Sequence, residues 1–254
     1  MNTTTSDLYD VAAPSWARDE AVLLSDYTAR PFVLDTISPL NGARVLDLGC
    51  GEGYVSRKIA AEAPARLLSI DISKGMIDLA KAAEEAAPLG IEYRVASATE
   101  LDLDEQFDQV LAVFLFNYLT CDEMVSVLKS VHRHLSPGGR LLFTAPHPSF
   151  PFLDRPAEPP FLFETEGLDY FSAKDHQLEG RIWRRDGESV PVRCVHKPME
   201  EYFKALELAG FKCAPRVTEL SVTAEHLALD PAFFGPLKGL PLHVAFEVTR
   251  GEEL

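Results

Sequence analysis

The sequence has few cysteines, and they are scattered along the chain. The 4 cysteines, Cys50, Cys121, Cys194 and Cys213, include no C-x-x-C pair. A structural zinc site needs clustered ligands, and a disulfide framework needs regularly spaced pairs. We therefore expect neither a bound metal nor a disulfide framework.

Long apolar runs are also missing. The longest, residues 110–116, is far shorter than the about 20 residues needed to cross a membrane, and it is typical of a buried parallel strand. The amino terminus, MNTTTSDLYD, has neither the basic start nor the apolar stretch of a secretory signal. We expect a cytoplasmic protein that does not bind membranes.

Positive charge is scarce, because 24 Lys and Arg stand against 39 Asp and Glu, for a formal net charge of −15. Nucleic-acid enzymes carry a basic stripe that replaces condensed counterions, and no such cluster occurs here. The acidic balance also disfavours anionic membrane surfaces. These absences exclude nucleic acid as an expected partner and favour a small organic molecule.

The most informative stretch is VLDLGCGEG, residues 45–53. An apolar strand leads into Asp47, and the glycines Gly49, Gly51 and Gly53 follow at alternating positions. Residues without side chains let the chain turn sharply and bring backbone amides against a ligand. A helix that begins directly after the loop would point its N-terminal amides at the same place. The pattern predicts a nucleotide-type ligand.

A dinucleotide site is the first alternative, since its G-x-G-x-x-G fingerprint is followed about 20 residues later by an acid that binds the ribose. Here Tyr54 stands in place of the third glycine. The next strand, residues 66–71, ends in Asp71. A carboxylate at that sheet edge accepts ribose hydroxyls from either ligand, so Asp71 predicts a nucleoside without choosing the cofactor.

The order of the segments that follow is more specific. IEYRVASATEL (91–101), FDQVLAVFLFNYL (107–119) and LSPGGRLLFTAPHP (135–148) come after the glycine loop. Together with the acid before G-x-G-x-G, they resemble the class I S-adenosylmethionine-dependent methyltransferases over roughly residues 40–150. The resemblance implies a methyltransferase whose cofactor is S-adenosylmethionine.

The alternation of strands and helices predicts an α/β fold with a doubly wound, mostly parallel sheet and helices on both faces. The resemblance implies seven strands, the last of them antiparallel. We expect strands near 43–48, 66–71, 91–96, 108–114 and 139–145, and helices near 54–62, 74–86 and 121–135.

We expect one methyltransferase domain over residues 1–254, in four parts: an N-terminal helical lid (1–40), a cofactor-binding core (41–146), a substrate-covering insertion (147–196) and a C-terminal completion of the sheet (197–254). The insertion begins with interleaved prolines and phenylalanines, which exclude a helix or a central strand. A disordered linker is the alternative, but so many rings favour an ordered cover with strands at 181–183 and 190–195. The last part predicts a helix at 197–211 and strands near 211–217 and 243–248.

The resemblance also implies the residues that contact the cofactor. Asp47 would orient the methionine amino group, although it could equally cap the glycine turn, and Asp71 would bind the ribose. The other expected contacts are Gly49, Gly51 and Gly53 in the loop, Ile72 and Met76 on the adenine, Ser97 and Ala98 where many relatives have an acid and a small residue, and Phe114 at the end of the fourth strand. Ile72, Met76 and Phe114 could instead be plain core residues.

The candidate catalytic residues are two histidines. His147 follows the fifth strand and His196 precedes the helix after the insertion; each could act as a base on a phenol or enol, whereas an amine acceptor needs none. Both could instead be capping or packing residues. Tyr9, Trp16 and Tyr118 are expected in the lid or against the acceptor, with packing under the lid as the alternative for Tyr118.

The predicted function is methyl transfer from S-adenosylmethionine, by in-line displacement, to oxygen or nitrogen of a small aromatic or heterocyclic metabolite. Two alternatives stay open: a non-catalytic relative that binds the cofactor and serves a complex, and an NAD-dependent oxidoreductase. The sequence also leaves open a monomer or a homodimer.

Overall fold

Seven strands form the main sheet of the protein. The computed structural model describes residues 10, 13, 16–154 and 159–251. The strands of this sheet are β1 (Arg44–Leu48), β2 (Arg66–Asp71), β3 (Glu92–Val95), β4 (Phe107–Val113), β5 (Leu135–Pro146), β9 (Arg216–Leu220) and β10 (His243–Thr249). Their spatial order is β3–β2–β1–β4–β5–β10–β9, and only β10 runs antiparallel to its neighbours. The predicted seven-stranded, mostly parallel α/β fold is confirmed.

Helices cover both faces of the sheet. They are α1 (Leu24–Thr28), α2 (Arg30–Ile37), α3 (Tyr54–Ala60), α4 (Lys74–Ala86), α5 (Cys121–His134), α6 (Met199–Leu208), α7 (Ala224–Leu229) and α8 (Pro231–Phe234). Apolar residues of α5 and α6 pack on one face, and those of α2, α3 and α4 pack on the other. Burying each aliphatic side chain contributes about 1.5–3 kcal/mol, so both layers hold the sheet firmly.

The segment after β5 forms a second, smaller sheet. Strands β6 (Phe161–Phe163), β7 (Gln177–Trp183) and β8 (Ser189–Val195) pair antiparallel. Their apolar face packs with Leu24 and with residues near the C-terminus, such as Phe234. The buried ammonium group of Lys197 donates to the carbonyl oxygens of Leu119 and Val195, which fastens this sheet to the loop after β4.

Three strands begin four or five residues away from their expected starts, and one of them is β7, which begins at Gln177 rather than 181. Strand β5 begins at Leu135 because that residue already pairs with Phe107, before the register shifts at the Pro-Gly-Gly turn. Strand β9 begins at Arg216 rather than 211, because the Phe211 amide still closes helix α6 by bonding to the Leu206 carbonyl. Within the described ranges, no helix combines the length and the apolarity needed to cross a bilayer.

Candidate functional site

A cavity of about 290 Å³ lies at the carboxyl edge of β1, β2, β3 and β4. Its volume is near the lower end of the range for ligand pockets. Nine residues expected from the sequence to contact the cofactor line it: Asp47, Gly49, Gly51, Asp71, Ile72, Met76, Ser97, Ala98 and Phe114. The fold therefore gathers, in one place, residues from four separate segments of the chain.

The glycine loop is fixed to the neighbouring strand. The amides of Gly49 and Cys50 both donate to the Ile70 carbonyl, at 2.8 and 3.1 Å. Gly53, which is not on the cavity wall, has φ +84°, and a Cβ there would lie 2.4 Å from the Tyr93 hydroxyl oxygen. The third glycine is thus required by the turn and by the tyrosine behind it, while the first two face the cavity.

Asp47 is buried at the end of β1, with 1 % of its surface exposed. Its Oδ2 accepts a hydrogen bond of 2.6 Å from the Ser56 hydroxyl on α3. Burial raises the pKa of Asp47 to about 6; the hydrogen bond from Ser56 offsets part of this rise, and the nearby Asp71 carboxylate adds to it. A buried carboxylate with this pKa would be stabilised in its charged form by a cation in the cavity.

Asp71, at the end of β2, positions the glycine loop and the start of α4. One carboxylate oxygen accepts from the Gly51 amide at 2.8 Å and the other accepts from the Ser73 amide at 2.9 Å. Burial raises its pKa above the usual value. Each oxygen retains a second lone pair for a ligand hydroxyl.

Phe114, directly after β4, has a left-handed backbone with φ 60°. Its amide donates to the Thr144 carbonyl at 3.1 Å. The ring lies 5.4 Å from the Arg30 guanidinium and 5.1 Å from the His243 ring. Non-glycine residues with positive φ are uncommon and cluster at functional sites, so packing on both sides holds this turn in place.

Arg30 brings a partly unpaired cation to the cavity wall. Its Nη1 donates to Asp26 Oδ1 at 2.9 Å and to the Ser25 hydroxyl. Its Nε and Nη2 have no hydrogen-bond partner among the residues that the structure describes. The side chain is only 13 % exposed, so those N–H groups are available to an anionic ligand group.

The N-terminal segment is tied to the glycine loop by Arg18. Its guanidinium binds both carboxylate oxygens of Asp26 at 2.9 Å and Oε1 of Glu52 at 3.1 Å. It also lies 4.4 Å from the Tyr54 ring centroid. Further up the chain, Asp10 accepts hydrogen bonds from the Ser73 hydroxyl and the Gly75 amide, at 2.6 and 2.9 Å.

Comparison with known proteins agrees with this geometry. The family model described as "Methyltransferase domain" matches residues 45–139. The N-demethylindolmycin N-methyltransferase of Streptomyces griseus is 28% identical over 235 residues, which are 87% of this chain and 86% of that protein. The putative methyltransferase YqeM of Bacillus subtilis is 29% identical over 75% of this chain and 82% of its own length.

Solved structures show the same fold. An S-adenosylmethionine dependent methyltransferase from Mesorhizobium loti has a TM-score of 0.64 and 24% identity, over 87% of this chain and 96% of its own. The CcbJ methyltransferase from Streptomyces caelestis has a TM-score of 0.64 and 19% identity, with 100% of both chains covered.

Residues 45–139 of this chain carry a methyltransferase domain, and the surrounding fold is that of the class I S-adenosylmethionine-dependent methyltransferases. The methyltransferase therefore uses S-adenosylmethionine as its methyl donor. The family predicted from the glycine loop and the order of segments is confirmed.

The methyltransferase holds its two candidate catalytic histidines outside the cavity wall. His147 donates from Nε2 to Glu219 at 2.7 Å and accepts the Ser149 amide at Nδ1, 3.2 Å away. His196 donates from Nε2 to the Tyr170 carbonyl at 2.8 Å, and burial lowers its pKa. Their roles as bases stay predictions, because neither is among the described residues that line the cavity.

The other expected contacts divide in the same way. Trp16 and Tyr118 line the cavity, whereas Tyr9 lies outside the described residues. None of the described residues of 147–196 lines it, because their apolar side chains pack within the smaller sheet and its own cluster.

Four charged residues on the wall, Arg18, Arg30, Glu52 and Glu123, were not expected from the sequence. Glu52 lies between Gly51 and Gly53, and this position in the glycine loop is the only sequence signal that could have identified it. No motif marks the two arginines, since they reach the cavity from the N-terminal segment through contacts that sequence spacing does not reveal.

Proposed function

We propose that the methyltransferase transfers the methyl group of S-adenosylmethionine to a nitrogen or oxygen atom of a small aromatic or heterocyclic acceptor. The observation that carries the proposal is the cavity itself, which gathers nine of the ten residues assigned to the cofactor from the sequence. Two aromatic side chains, Trp16 and Tyr118, lie on the same wall. A relative that is 28% identical over 87% of this chain is named N-demethylindolmycin N-methyltransferase, which supports transfer to nitrogen.

The charges on the wall fit an amino-acid tail. Such a tail carries one ammonium and one carboxylate group, and the wall offers the Asp47 carboxylate and the free N–H groups of Arg30. A diphosphate would instead place two negative charges beside Asp47, Asp71 and Glu52, which are all acidic and lie on that wall. In this proposal Asp47 and the backbone carbonyl of Phe114 hold the ammonium, and Arg30 holds the carboxylate.

The other end of the wall fits a nucleoside. The free lone pairs of Asp71 are suited to the two ribose hydroxyls. Ile72 is 50% exposed although it is a large apolar residue, and an adenine ring against it would remove that surface from water at about 25 cal/mol per Å². Met76 and Ala98 offer further apolar surface there.

The bound cofactor supplies a methyl group on a positively charged sulfur. The protein's contribution is to hold donor and acceptor in line, which can lower the barrier by about 7–11 kcal/mol in intramolecular comparisons. Trp16 and Tyr118 would orient the acceptor ring and exclude water. We also propose that residues 1–40 act as a lid, since Arg18 and Asp10 hold that segment at the rim. No proton transfer is assigned to His147 or His196, because both lie off the wall.

Two measurements test the proposal. Isothermal titration with S-adenosylmethionine, S-adenosylhomocysteine and NAD should show binding of the first two only, and tight NAD binding alone would contradict it. Turnover is then measured by mass spectrometry on a panel of hydroxylated aromatics, indoles and other nitrogen heterocycles. Methylation confined to carboxylates or to peptides would contradict the acceptor class.

A further inference from the structure

Two carboxylates on the cavity wall, those of Glu52 and Glu123, have no role in the cofactor assignment. Glu52 is paired with Arg18 and Arg57, which leaves Glu123. Glu123 lies in the first turn of α5, where its Oε2 accepts from the Thr120 amide at 2.8 Å and from the Thr120 hydroxyl at 2.9 Å. Its second oxygen, Oε1, has no hydrogen-bond partner among the described residues. The side chain is therefore oriented by one oxygen and free to bind a ligand with the other.

Glu123 lies at the end of the cavity that we assign to adenine. It shares the wall with Ser97, Ala98 and Thr99. The short 3₁₀ helix Ala98–Glu100 packs against α5. Farther along α5, the Ser130 hydroxyl donates to the Leu101 carbonyl at 2.8 Å. This packing brings the beginning of α5 beside the segment that follows β3.

The segment after β3 contributes no carboxylate to the cavity wall that could accept from an adenine amino group, since Glu100 is not among the lining residues. It contains no acid from Ala96 to Thr99. The Ser97 hydroxyl is already engaged, because it lies 2.7 Å from the Thr99 hydroxyl and accepts from the Thr99 amide at 3.3 Å. The three other carboxylates on the wall, Asp47, Glu52 and Asp71, are held at the glycine loop.

We infer that Oε1 of Glu123 accepts a hydrogen bond from the exocyclic amino group of the adenine ring, so that the adenine-recognising carboxylate is supplied by helix α5 rather than by the end of β3. This inference rests on the proposed function, since it takes the cavity to hold S-adenosylmethionine. It makes Glu123 a specificity-determining residue for the cofactor base.

The test compares S-adenosylhomocysteine with its 6-deamino analogue, which has purine in place of adenine. Calorimetry on the wild-type protein should show a preference for S-adenosylhomocysteine of about tenfold to a hundredfold, as expected for a hydrogen bond to a charged group. Glu123→Ala should bring the ratio of the two affinities close to one, because it weakens the binding of S-adenosylhomocysteine alone.

A second variant guards against a folding effect, because Glu123→Ala also removes a helix cap. Glu123→Gln keeps the cap through its amide oxygen and turns its NH₂ group toward the cavity, where it repels another amino group. It should lower the ratio to the same extent at unchanged thermal stability. Asp122→Asn, on the neighbouring exposed position off the cavity wall, should leave the ratio at its wild-type value.

The outcomes separate the two proposals. A wild-type protein that binds neither homocysteine compound contradicts the proposed function. If it binds S-adenosylhomocysteine and both Glu123 variants keep the wild-type ratio, the inference about Glu123 is overturned while the function stands.

Discussion

Asp47 Oδ2 and Ser56 Oγ lie 2.6 Å apart beneath the glycine loop, and this hydrogen bond joins the end of β1 to the first turns of α3. Both side chains are almost fully shielded from solvent. The carboxylate is thus held rigidly at the cavity, but burial makes it a weaker acid than an ordinary aspartate, with a pKa of about 6.

Cofactor affinity should therefore depend on pH. Below pH 6 Asp47 is protonated in the ligand-free protein and must lose that proton to bind an ammonium group. We expect the dissociation constant of S-adenosylmethionine to tighten from pH 5 to pH 7, by at most about tenfold per unit below the pKa. Calorimetry across this range measures it. Asp47→Asn should bind more weakly and lose the step near pH 6, and a flat wild-type profile would contradict the role of Asp47.

Asp71→Asn should weaken cofactor binding by about tenfold to a hundredfold, because an amide can accept at only one end while Gly51 and Ser73 both donate. Equilibrium dialysis with labelled S-adenosylmethionine measures the dissociation constant. Asp78→Asn is the matched control, since Asp78 is an exposed carboxylate on α4 paired with Lys74. Equal affinities in the two variants would show that Asp71 does not touch the ribose.

Arg30→Gln should weaken S-adenosylmethionine about tenfold to a hundredfold, since a charge-assisted contact to the methionine carboxylate is lost. Decarboxylated S-adenosylmethionine lacks that carboxylate, and its affinity should not change. An effect that came only from the lost Arg30–Asp26 ion pair would weaken both ligands alike, so comparing them isolates the contact to the carboxylate. A parallel loss for both ligands would place the carboxylate elsewhere.

The left-handed turn at Phe114 predicts a difference between two apolar replacements. Phe114→Leu and Phe114→Val both remove the ring, but a β-branched side chain tolerates positive φ far less well. We expect Val to be less stable than Leu by about 1–3 kcal/mol in urea unfolding. Equal stabilities would mean that the backbone relaxes without cost.

His243 should make the protein sensitive to acid. Burial lowers its pKa to about 3, so between pH 6.5 and pH 3 the unfolded chain binds a proton that the folded chain does not. Stability then falls as pH falls through this window, by about 2 kcal/mol at pH 5 relative to neutral pH.

Urea unfolding of His243→Gln against wild type at pH 7 and pH 5 isolates this effect, because the raised pKa of Asp47 acts in the opposite direction in both proteins. Gln can still donate to the Thr28 hydroxyl, as His243 Nε2 does at 3.0 Å. The free energy of unfolding of the variant, relative to that of the wild type, should be higher at pH 5 than at pH 7. The exposed His176→Gln should show no such shift.

Much of the fold could be predicted because its signals are local. The run from 45 to 53 combines an apolar strand with glycines whose positive φ values only glycine adopts freely. Helix α5 begins at the capping box of Thr120 and Glu123, and strand β2 is an apolar segment that ends in an acid. Each of these is readable from neighbouring residues.

What could not be predicted depends on contacts between distant segments. Gly53 is required by Tyr93, which is 40 positions away in the sequence numbering. Arg30 reaches the cavity because the start of α2 lies against the Phe114 ring, and Glu123 because α5 packs on the segment after β3. The covering role expected of the insertion stays a prediction; several of its rings pack with one another and with residues near the C-terminus, such as Phe234.

Contacts that hold the N-terminal segment include Asp10 at the start of α4, Arg18 on the glycine loop, and Leu23 in a bridge with Arg184, directly after β7. Arg18 and its partner Glu52 also line the cavity, so we expect that S-adenosylhomocysteine leaves only after some of these contacts break. Release of S-adenosylhomocysteine would then be the rate-limiting step of the catalytic cycle. Its kinetic sign would be a first turnover that is faster than those that follow.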